Sequence, residues 1–300
     1  MRVLAAHYAC LFALACHSQG GVNAPPLVER GSLPATWYVG GATCSGTPRL
    51  SVHSYTEDLY ILRQPACTSF EKPFLYLLFG EERALLLDTG AGGLDVAVTV
   101  DSLVTAWRDR HRGHPAELVV AHTHAHGDHV AGDSLFGDRR AATIVGRDTA
   151  SVRRFFGIAS WPNDIVSFDL GGRILDVIPI PGHQAASIAI YDRRTGLLLT
   201  GDTFYPGRLY VRDTAAFAAS IHRLVAFSAR HSIVFLLGAH IENTSTPFLD
   251  YPEGTVDQPD EHVLQLSVKD LLTLDSTVAA MRGHFTRVAL PRFTIWPIVH

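Results

Sequence analysis

The sequence Leu118-Val119-Val120-Ala121-His122-Thr123-His124-Ala125-His126-Gly127-Asp128-His129 joins a short apolar run to a dense group of histidines. The apolar residues at its start are typical of a buried strand. An extended chain directs His124 and His126, two residues apart, to one side, where both can bind a single metal ion. Asp128 and His129 are adjacent and point differently, so they can serve a second ion, and Gly127 allows a tight turn between the two pairs. A polar surface loop is the alternative, and it explains so many ligand-type residues poorly.

The composition is that of a soluble globular protein without a nucleic-acid-binding surface. With 300 residues, of which 47% are hydrophobic and 18% charged, the chain is long enough to bury a large core. The net charge of −4 and the lack of any Lys/Arg cluster provide no surface for phosphates, so no nucleic acid is expected as a partner. Four of the sixteen histidines lie in residues 122–129, and this local density needs a functional explanation.

The first residues are typical of an export signal. Met1-Arg2 precedes an apolar stretch from Val3 to Cys16, which is shorter than the roughly 20 residues of a membrane-spanning helix. We expect residues 1–24 to be a signal peptide or a lipoprotein leader and the protein to be exported, either periplasmic or lipid-anchored at the membrane surface. Ala13-Leu14-Ala15-Cys16 loosely resembles a bacterial lipobox, which would make Cys16 the anchor and the only contact with a membrane. Cleavage near Val22-Asn23-Ala24 and a buried N-terminal element are the alternatives.

Two cysteines, Cys44 and Cys67, remain outside this leader. In an oxidising compartment they can form a disulfide. Two independent buried thiols fit the sequence equally well, because free cysteine is a common core residue.

The rest of the chain divides into an arm and one domain. Residues 25–48, rich in Pro, Gly and Thr, predict a linker or N-terminal arm, and residues 49–300 a single domain. Short apolar runs predict strands in both halves of that domain. The spacing predicts helices at Leu94–Trp107, with Leu94, Val98, Leu103 and Trp107 near one face, at Thr214–Ala229 and at Ser267–Met281. Two sheet-forming halves with helices between them predict a sandwich with helices outside.

Five short motifs follow the order known from the metallo-beta-lactamase superfamily. The run from His124 to His129 resembles its signature H-x-H-x-D-H. Leu87-Asp88-Thr89-Gly90 resembles the first motif, in which an Asp at a strand end supports the metal loop without binding metal. Pro181-Gly182-His183, Gly201-Asp202-Thr203 and Gly238-Ala239-His240 match the third, fourth and fifth motifs. The resemblance implies an α/β fold, an αββα sandwich of two mixed sheets with helices on the outer faces, and makes residues 49–300 a catalytic domain.

The resemblance also implies a ligand set for two zinc ions. His124, His126 and His183 would bind one ion, and Asp128, His129 and His240 the other, with Asp202 bridging them. Imidazole and carboxylate suit zinc, and two ions about 3.5–4 Å apart lower the pKa of a shared water toward neutrality. The implied activity is zinc-dependent hydrolysis of a small-molecule substrate, in which a metal-bound hydroxide attacks an acyl carbonyl and Asp128 orients the hydroxide.

The sequence leaves the substrate class open among thioesters, lactones and β-lactams. The run from Ile188 to Leu209 looks closest to the glyoxalase and lactonase branch, although no clear counterpart of the basic glutathione-binding residues stands out beyond His240. Tyr205 follows Asp202 where the lactonases carry a tyrosine that contacts the oxyanion, which makes it a candidate catalytic residue. An aromatic side chain packed under the loop is the alternative. The segment 243–259 is expected to form a loop or lid over the pocket.

Residues near these motifs, His122 and Glu261-His262, are not part of the implied ligand set. His122 is expected to support the ligands or the strand, and Glu261-His262 either to line the pocket or to begin a solvated helix.

A mononuclear iron oxidoreductase similar to the persulfide dioxygenases would use a similar ligand set, and metal analysis separates it from a zinc hydrolase. A binding module with an inactive site is disfavoured because no ligand is missing.

Overall fold

Two six-stranded mixed sheets form the centre of the computed structural model, which describes residues 28–38, 40–114, 117–137 and 142–298. The first sheet has the order β1-β2-β3-β4-β5-β6. Its strands are β1 (Ser51–Thr56), β2 (Leu59–Arg63), β3 (Phe74–Phe79), β4 (Arg83–Leu87), β5 (Glu117–Ala121) and β6 (Ala142–Ile144). Neighbours β1 to β4 are antiparallel, whereas β4, β5 and β6 are parallel.

The second sheet has the order β13-β12-β10-β9-β8-β7. Its strands are β7 (Val166–Asp169), β8 (Ile174–Pro179), β9 (Ile188–Asp192), β10 (Leu197–Gly201), β12 (Phe235–Gly238) and β13 (Gln265–Leu266). Strands β10 and β12 are parallel, and the other pairs are antiparallel. Both sheets are therefore mixed, as the resemblance implied.

Alternation along the central strands builds the layers of the sandwich. In β3, Phe74 and Tyr76 belong to a core that also contains Ile190 of the second sheet, so these side chains fill the space between the sheets. Leu75 and Leu77, on the opposite face, pack with the first helix. Because both faces of the strand are covered, the run is apolar throughout rather than alternating.

Helices cover the two outer faces. The helices of the described residues are α1 (Val96–Arg110), the single turn α2 (Gly127–Val130), α3 (Thr149–Phe156), α4 (Thr214–Ser228) and α5 (Val268–Met281). Helix α1 packs on the first sheet, and α4 and α5 pack together on the second. This order of helix, sheet, sheet and helix confirms the αββα sandwich. A capping box between Ser267 and Asp270 fixes the start of α5.

Helix α1 differs from its prediction in the face that it buries. Asp95 caps its N-terminus, and the stripe that faces the sheet contains Val96, Val100 and Val104 together with Trp107. The prediction that Val98 lies on this face was wrong, since its side chain is 58% exposed. The spacing of four residues from Val96 to Val104 follows the helical repeat and sets the buried stripe.

A third, three-stranded sheet was absent from the predictions. It has the order β11-β15-β14, with β11 (Arg208–Val211), β14 (Val288–Ala289) and β15 (Thr294–Pro297). Its parallel pair joins the segment after Asp202 to the C-terminal region. This small sheet is relevant to the site because β11 follows the candidate ligand Asp202 in the chain.

The N-terminal segment packs against the sandwich. Described residues before β1 form neither helix nor strand, but Trp37 is buried and meets the ring of Phe74 edge-on at 5.1 Å. Cys44 and Cys67 form a disulfide, with their Cα atoms 5.6 Å apart. The expected leader, including Cys16, lies outside the described residues. Within the described ranges, no helix combines the length and apolar character needed to cross a membrane.

Candidate metal centre

The candidate ligands lie at one edge of the sandwich, beyond the carboxyl ends of strands in both sheets. His124, His126, Asp128 and His129 follow β5, where α2 starts with His126 as its N-cap residue. The other three candidates, His183, Asp202 and His240, follow β8, β10 and β12. Parallel pairing of β10 with β12 brings the ends of these two strands together. The topology thus collects ligands that are distant in sequence.

Three histidines converge in the first group. The Nδ1 atom of His126 lies 2.9 Å from Nε2 of His124 and 2.9 Å from Nε2 of His183. A carboxylate oxygen of Asp202 lies 3.7 Å from Nε2 of His124 and 3.6 Å from Nε2 of His183. One ligand atom from each residue falls within a span of 4.8 Å, which suits a single cation.

The second group contains two carboxylates and two histidines. Nε2 of His240 lies 3.2 Å from a carboxylate oxygen of Asp128 and 3.2 Å from Oδ1 of Asp202. Nε2 of His129 lies 3.2 Å and 3.4 Å from the same two oxygens. Asp202 is common to both groups, with Oδ2 toward the first and Oδ1 toward the second.

Outer hydrogen bonds fix the orientation of three ligand rings. Nδ1 of His129 lies 2.9 Å from the buried carboxylate of Asp88. Nδ1 of His183 donates to the carbonyl of Tyr210 at 2.8 Å, and Nδ1 of His240 donates to the carbonyl of Glu71 at 2.7 Å. Because each Nδ1 is held in this way, each Nε2 is left to point into the centre, as is usual for histidines that bind metal.

Asp88 also holds the loop that carries the ligands. Its carboxylate accepts hydrogen bonds from the backbone N–H of Thr123 at 2.7 Å and from the hydroxyl of Thr123 at 2.8 Å. Asp88 itself adopts φ of +70°, a left-handed conformation that is uncommon for residues other than glycine. This strained turn places its carboxylate under the loop rather than in the centre.

The residues present fit a pair of divalent cations. Oδ1 of Asp202 is buried, and no described residue gives it a hydrogen bond of ordinary geometry. An unpaired buried carboxylate oxygen is costly, whereas a cation between the groups would satisfy it. The donors are imidazole nitrogens and carboxylate oxygens, a set that suits zinc and also iron.

The pKa shifts of the ligands make the histidines of the first group neutral and the bridging Asp202 anionic. Burial lowers the pKa of His124 well below its ordinary value, and burial together with His183 lowers the pKa of His126 to about 4. Burial disfavours the carboxylate form of Asp202, but the charges of His240 and His129 outweigh it and hold its pKa well below the ordinary value. The first group therefore offers neutral nitrogen lone pairs at neutral pH, and the bridging residue offers an anion.

One protein family matches most of the chain. The model of the metallo-beta-lactamase superfamily matches residues 71–284, well over half of the sequence. The chain belongs to the metallo-beta-lactamase superfamily. A solved metallo-beta-lactamase from Pontibacter korlensis has a similar fold, with a TM-score of 0.51, 17% identity, and coverage of 77% of this chain and 99% of that one.

Curated relatives carry the name hydroxyacylglutathione hydrolase. The protein of Rhizobium meliloti (strain 1021) is 32% identical over 134 residues, which cover 42% of this chain and 52% of that protein. The protein of Pseudomonas entomophila (strain L48) is 26% identical over 226 residues, which cover 72% of this chain and 82% of that protein. The match thus spans about half the length of the first relative and most of the second.

All seven residues that the superfamily motifs predicted as ligands lie in the two groups. Their role as zinc ligands stays a prediction. Asp88 lies beneath the loop, as the first motif predicted. His122 lies outside the centre, with Nε2 3.2 Å from the carboxylate of Asp133.

Tyr205 lies at the wall of the centre, and its hydroxyl is already hydrogen-bonded to the protein. The hydroxyl donates to the carbonyl of Arg208 and lies 3.2 Å from the carboxylate of Glu242. Its ring meets that of His240 edge-on at 5.6 Å. An oxyanion would have to compete with the Arg208 carbonyl for the hydroxyl proton, and the catalytic role of Tyr205 stays a prediction.

The segment after His240 borders a pocket of about 310 Å³ that opens onto both groups. Tyr251, Pro252, Glu253 and Gly254 line this pocket, in agreement with a loop over the site. The two alternatives for Glu261 were both wrong. Its carboxylate is buried in a two-bonded pair with Arg63, at 2.6 and 2.5 Å, and it neither lines this pocket nor begins a helix.

Sequence reasoning missed several residues around the centre. Glu71 and Tyr210 act through backbone carbonyls, which every residue has, so residue type gave no signal. Arg208 pairs with Asp250 at 2.7 Å and with Glu242 at 3.2 Å. An arginine at a strand start gives no sign of such partners in the sequence.

Proposed function

We propose that this chain is a hydrolase that binds two zinc ions and cleaves an acyl substrate, with a thioester as the first candidate. The observation that carries the proposal is the sharing of Asp202 by two ligand groups that open onto one pocket. A carboxylate that faces both groups is the arrangement of a two-metal site. Lactones and β-lactams are kept as further candidates, because the same attack on a carbonyl would open them.

The two groups would hold one ion each. His124, His126 and His183 supply neutral imidazoles to the first ion, and the second group supplies two carboxylates and two imidazoles, with Asp202 shared. Zinc bound there would supply positive charge that polarises an acyl carbonyl and lowers the pKa of water.

Among the protein's own side chains, Asp128 would orient the water. Asp128 lines the pocket, and its side chain keeps 18% exposure. Burial raises the pKa of Asp128, but hydrogen bonds with His129 and His240 outweigh burial and lower it far below the ordinary value. An ionised carboxylate at the pocket floor can accept a hydrogen bond from a water molecule and so orient it.

Three features support the substrate class and the location. The name of the curated relatives denotes hydrolysis of an acylated glutathione, which is a thioester. The pocket of about 310 Å³ is of the size that holds a small molecule. A disulfide between Cys44 and Cys67 supports the proposed export, because disulfides persist in oxidising compartments.

Metal analysis and a substrate screen on the purified full-length protein test the proposal. We expect about two zinc ions per chain and zinc-dependent hydrolysis of a thioester, a lactone or the β-lactam nitrocefin. The His126→Ala variant should lose first-group metal and turnover, whereas His222→Ala, at an exposed position of α4, should keep both. One iron per chain with oxygen uptake, and no hydrolysis of the three substrates, would establish the oxidoreductase instead.

A further inference from the structure

Three cationic side chains line the pocket beside the metal centre, and two of them already bind protein carboxylates and carbonyls. Arg208 bonds to Asp250 at 2.7 Å, lies 3.2 Å from Glu242 and donates to the carbonyl of Tyr251. Lys72 donates to the carbonyl of Ile241 at 3.2 Å and to Gln258, with the carboxylate of Glu261 at 3.7 Å. These two cations hold the walls of the pocket together, so neither offers a free charge to a ligand.

The third cation, Arg212, is exposed and lines the same pocket. Across the described ranges, its guanidinium has no hydrogen bond or ion pair with a protein acceptor. The carboxylate of the neighbouring Asp213 caps α4 through the backbone N–H of Ala216 at 2.9 Å and, among the described residues, forms no ion pair with Arg212. Glu253 also lines the pocket, without an ion pair to Arg212.

The backbone around Arg212 is fixed relative to the first ligand group. Its N–H donates to the carbonyl of Gly182 at 3.0 Å, directly before His183 in the chain. Two residues earlier, the carbonyl of Tyr210 accepts the hydrogen bond from His183.

The pocket wall beside the second ligand group carries a negative charge. Glu71 lines the pocket beside the second group, where its backbone carbonyl holds His240. No described residue forms an ion pair with the carboxylate of Glu71. An anionic substituent of a substrate would therefore be repelled by the Glu71 carboxylate and attracted by the Arg212 guanidinium.

From this arrangement we infer that Arg212 binds an anionic oxygen group of the substrate, a carboxylate or a phosphate, on the side of the first ligand group. The inference rests on the proposed function, because it names the class of acyl substrate that the pocket selects. A planar guanidinium can donate two parallel hydrogen bonds to either anion. Arg212 would thus determine specificity, whereas the chemistry belongs to the metal centre.

Three acetyl thioesters test the inference with the zinc-loaded protein. They are those of mercaptopropionate, of its methyl ester, and of mercaptoethyl phosphate. We expect the wild-type protein to have a KM for one of the two anionic substrates that is roughly 10 to 100 times lower than its KM for the methyl ester. The anion with the lower KM identifies carboxylate or phosphate as the group that is bound.

Variants assign this preference to Arg212. Arg212→Ala should reduce the KM ratio to about one, and Arg212→Lys should keep part of it, because an ammonium retains the charge but not the planar donor pair. The control Arg154→Ala removes the same charge from an exposed position of α3, away from the pocket, and should keep the wild-type ratio. A wild-type protein without preference, or an Arg212→Ala variant with the full preference, would overturn the inference.

A binding measurement separates this inference from the proposed function. Calorimetric titration of the zinc-loaded protein with mercaptopropionate, its methyl ester and mercaptoethyl phosphate needs no turnover. If no thioester is hydrolysed, the proposed thioesterase activity fails. Arg212 is still supported if an anionic thiol binds more tightly to wild type than to Arg212→Ala, and refuted if both proteins bind all three thiols equally.

Discussion

Replacement of Asp88 should weaken both the fold and the second ligand group. The carboxylate accepts three hydrogen bonds, from the backbone N–H and the hydroxyl of Thr123 and from Nδ1 of His129, at 2.7, 2.8 and 2.9 Å. All three are buried, and each bond of this kind contributes about 1–1.5 kcal/mol, so Asp88→Ala should lower the free energy of unfolding by about 3–5 kcal/mol. Loss of the partner that orients His129 should also weaken zinc binding about 10- to 100-fold.

Urea unfolding of the metal-free protein and a zinc titration measure the two effects separately. Asp88→Asn keeps the oxygen that accepts from the backbone N–H of Thr123, but its amide nitrogen cannot accept from the Thr123 hydroxyl or from His129. It should therefore lose about 2–3 kcal/mol while losing zinc affinity as Asp88→Ala does. The matched control is Asp176→Ala, which removes a buried carboxylate that pairs with Arg193 at 2.6 Å in the second sheet. It should lose stability and keep zinc affinity. Wild-type affinity for two zinc ions in Asp88→Asn would refute the reasoning.

Three further predictions concern residues of the pocket. Asp128→Ala should keep the fold by circular dichroism but lose second-group metal and most turnover, and an unchanged rate with all three substrate classes would refute its role. Burial lowers the pKa of Lys72 from 10.5 to about 8, so the unfolded chain binds more protons than the native protein between these values. The free energy of unfolding of wild type should therefore rise relative to that of Lys72→Met as the pH increases through this window, and urea unfolding at several pH values checks the sign. Tyr205→Phe should lower the free energy of unfolding by about 1 kcal/mol, because a buried bond to Arg208 is lost. A fall of about 10²- to 10³-fold in kcat in that variant would show an oxyanion donor, and a smaller fall would leave Tyr205 a packing residue.

The sandwich and the ligand groups could be predicted because both depend on local sequence signals. Apolar runs such as Phe74–Phe79 are covered on both faces, so they mark the central strands regardless of topology. The ligands lie in motifs directly after strands, and their order along the chain matches that of the superfamily. The same signals failed for β14 (Val288–Ala289), which is too short for any periodicity to show.

The contacts that shape the pocket depend on distant pairing and on the backbone. Arg63 meets Glu261, 198 residues later, and neither residue has a local pattern that indicates the other. The carbonyl of Glu71 orients His240 through a group that every residue carries. Arg212 stands out only once its neighbours are known, since its significance is the lack of a partner among the described residues at the pocket wall.

A zinc titration of the chelator-treated full-length protein, followed by the rate of thioester hydrolysis, tests the central claim most directly. If two ions share Asp202 in one centre, the rate should rise with added zinc and become constant at about two equivalents per chain. No hydrolysis of a thioester, lactone or β-lactam at two bound equivalents, or oxygen consumption restored by one equivalent of iron, would contradict it.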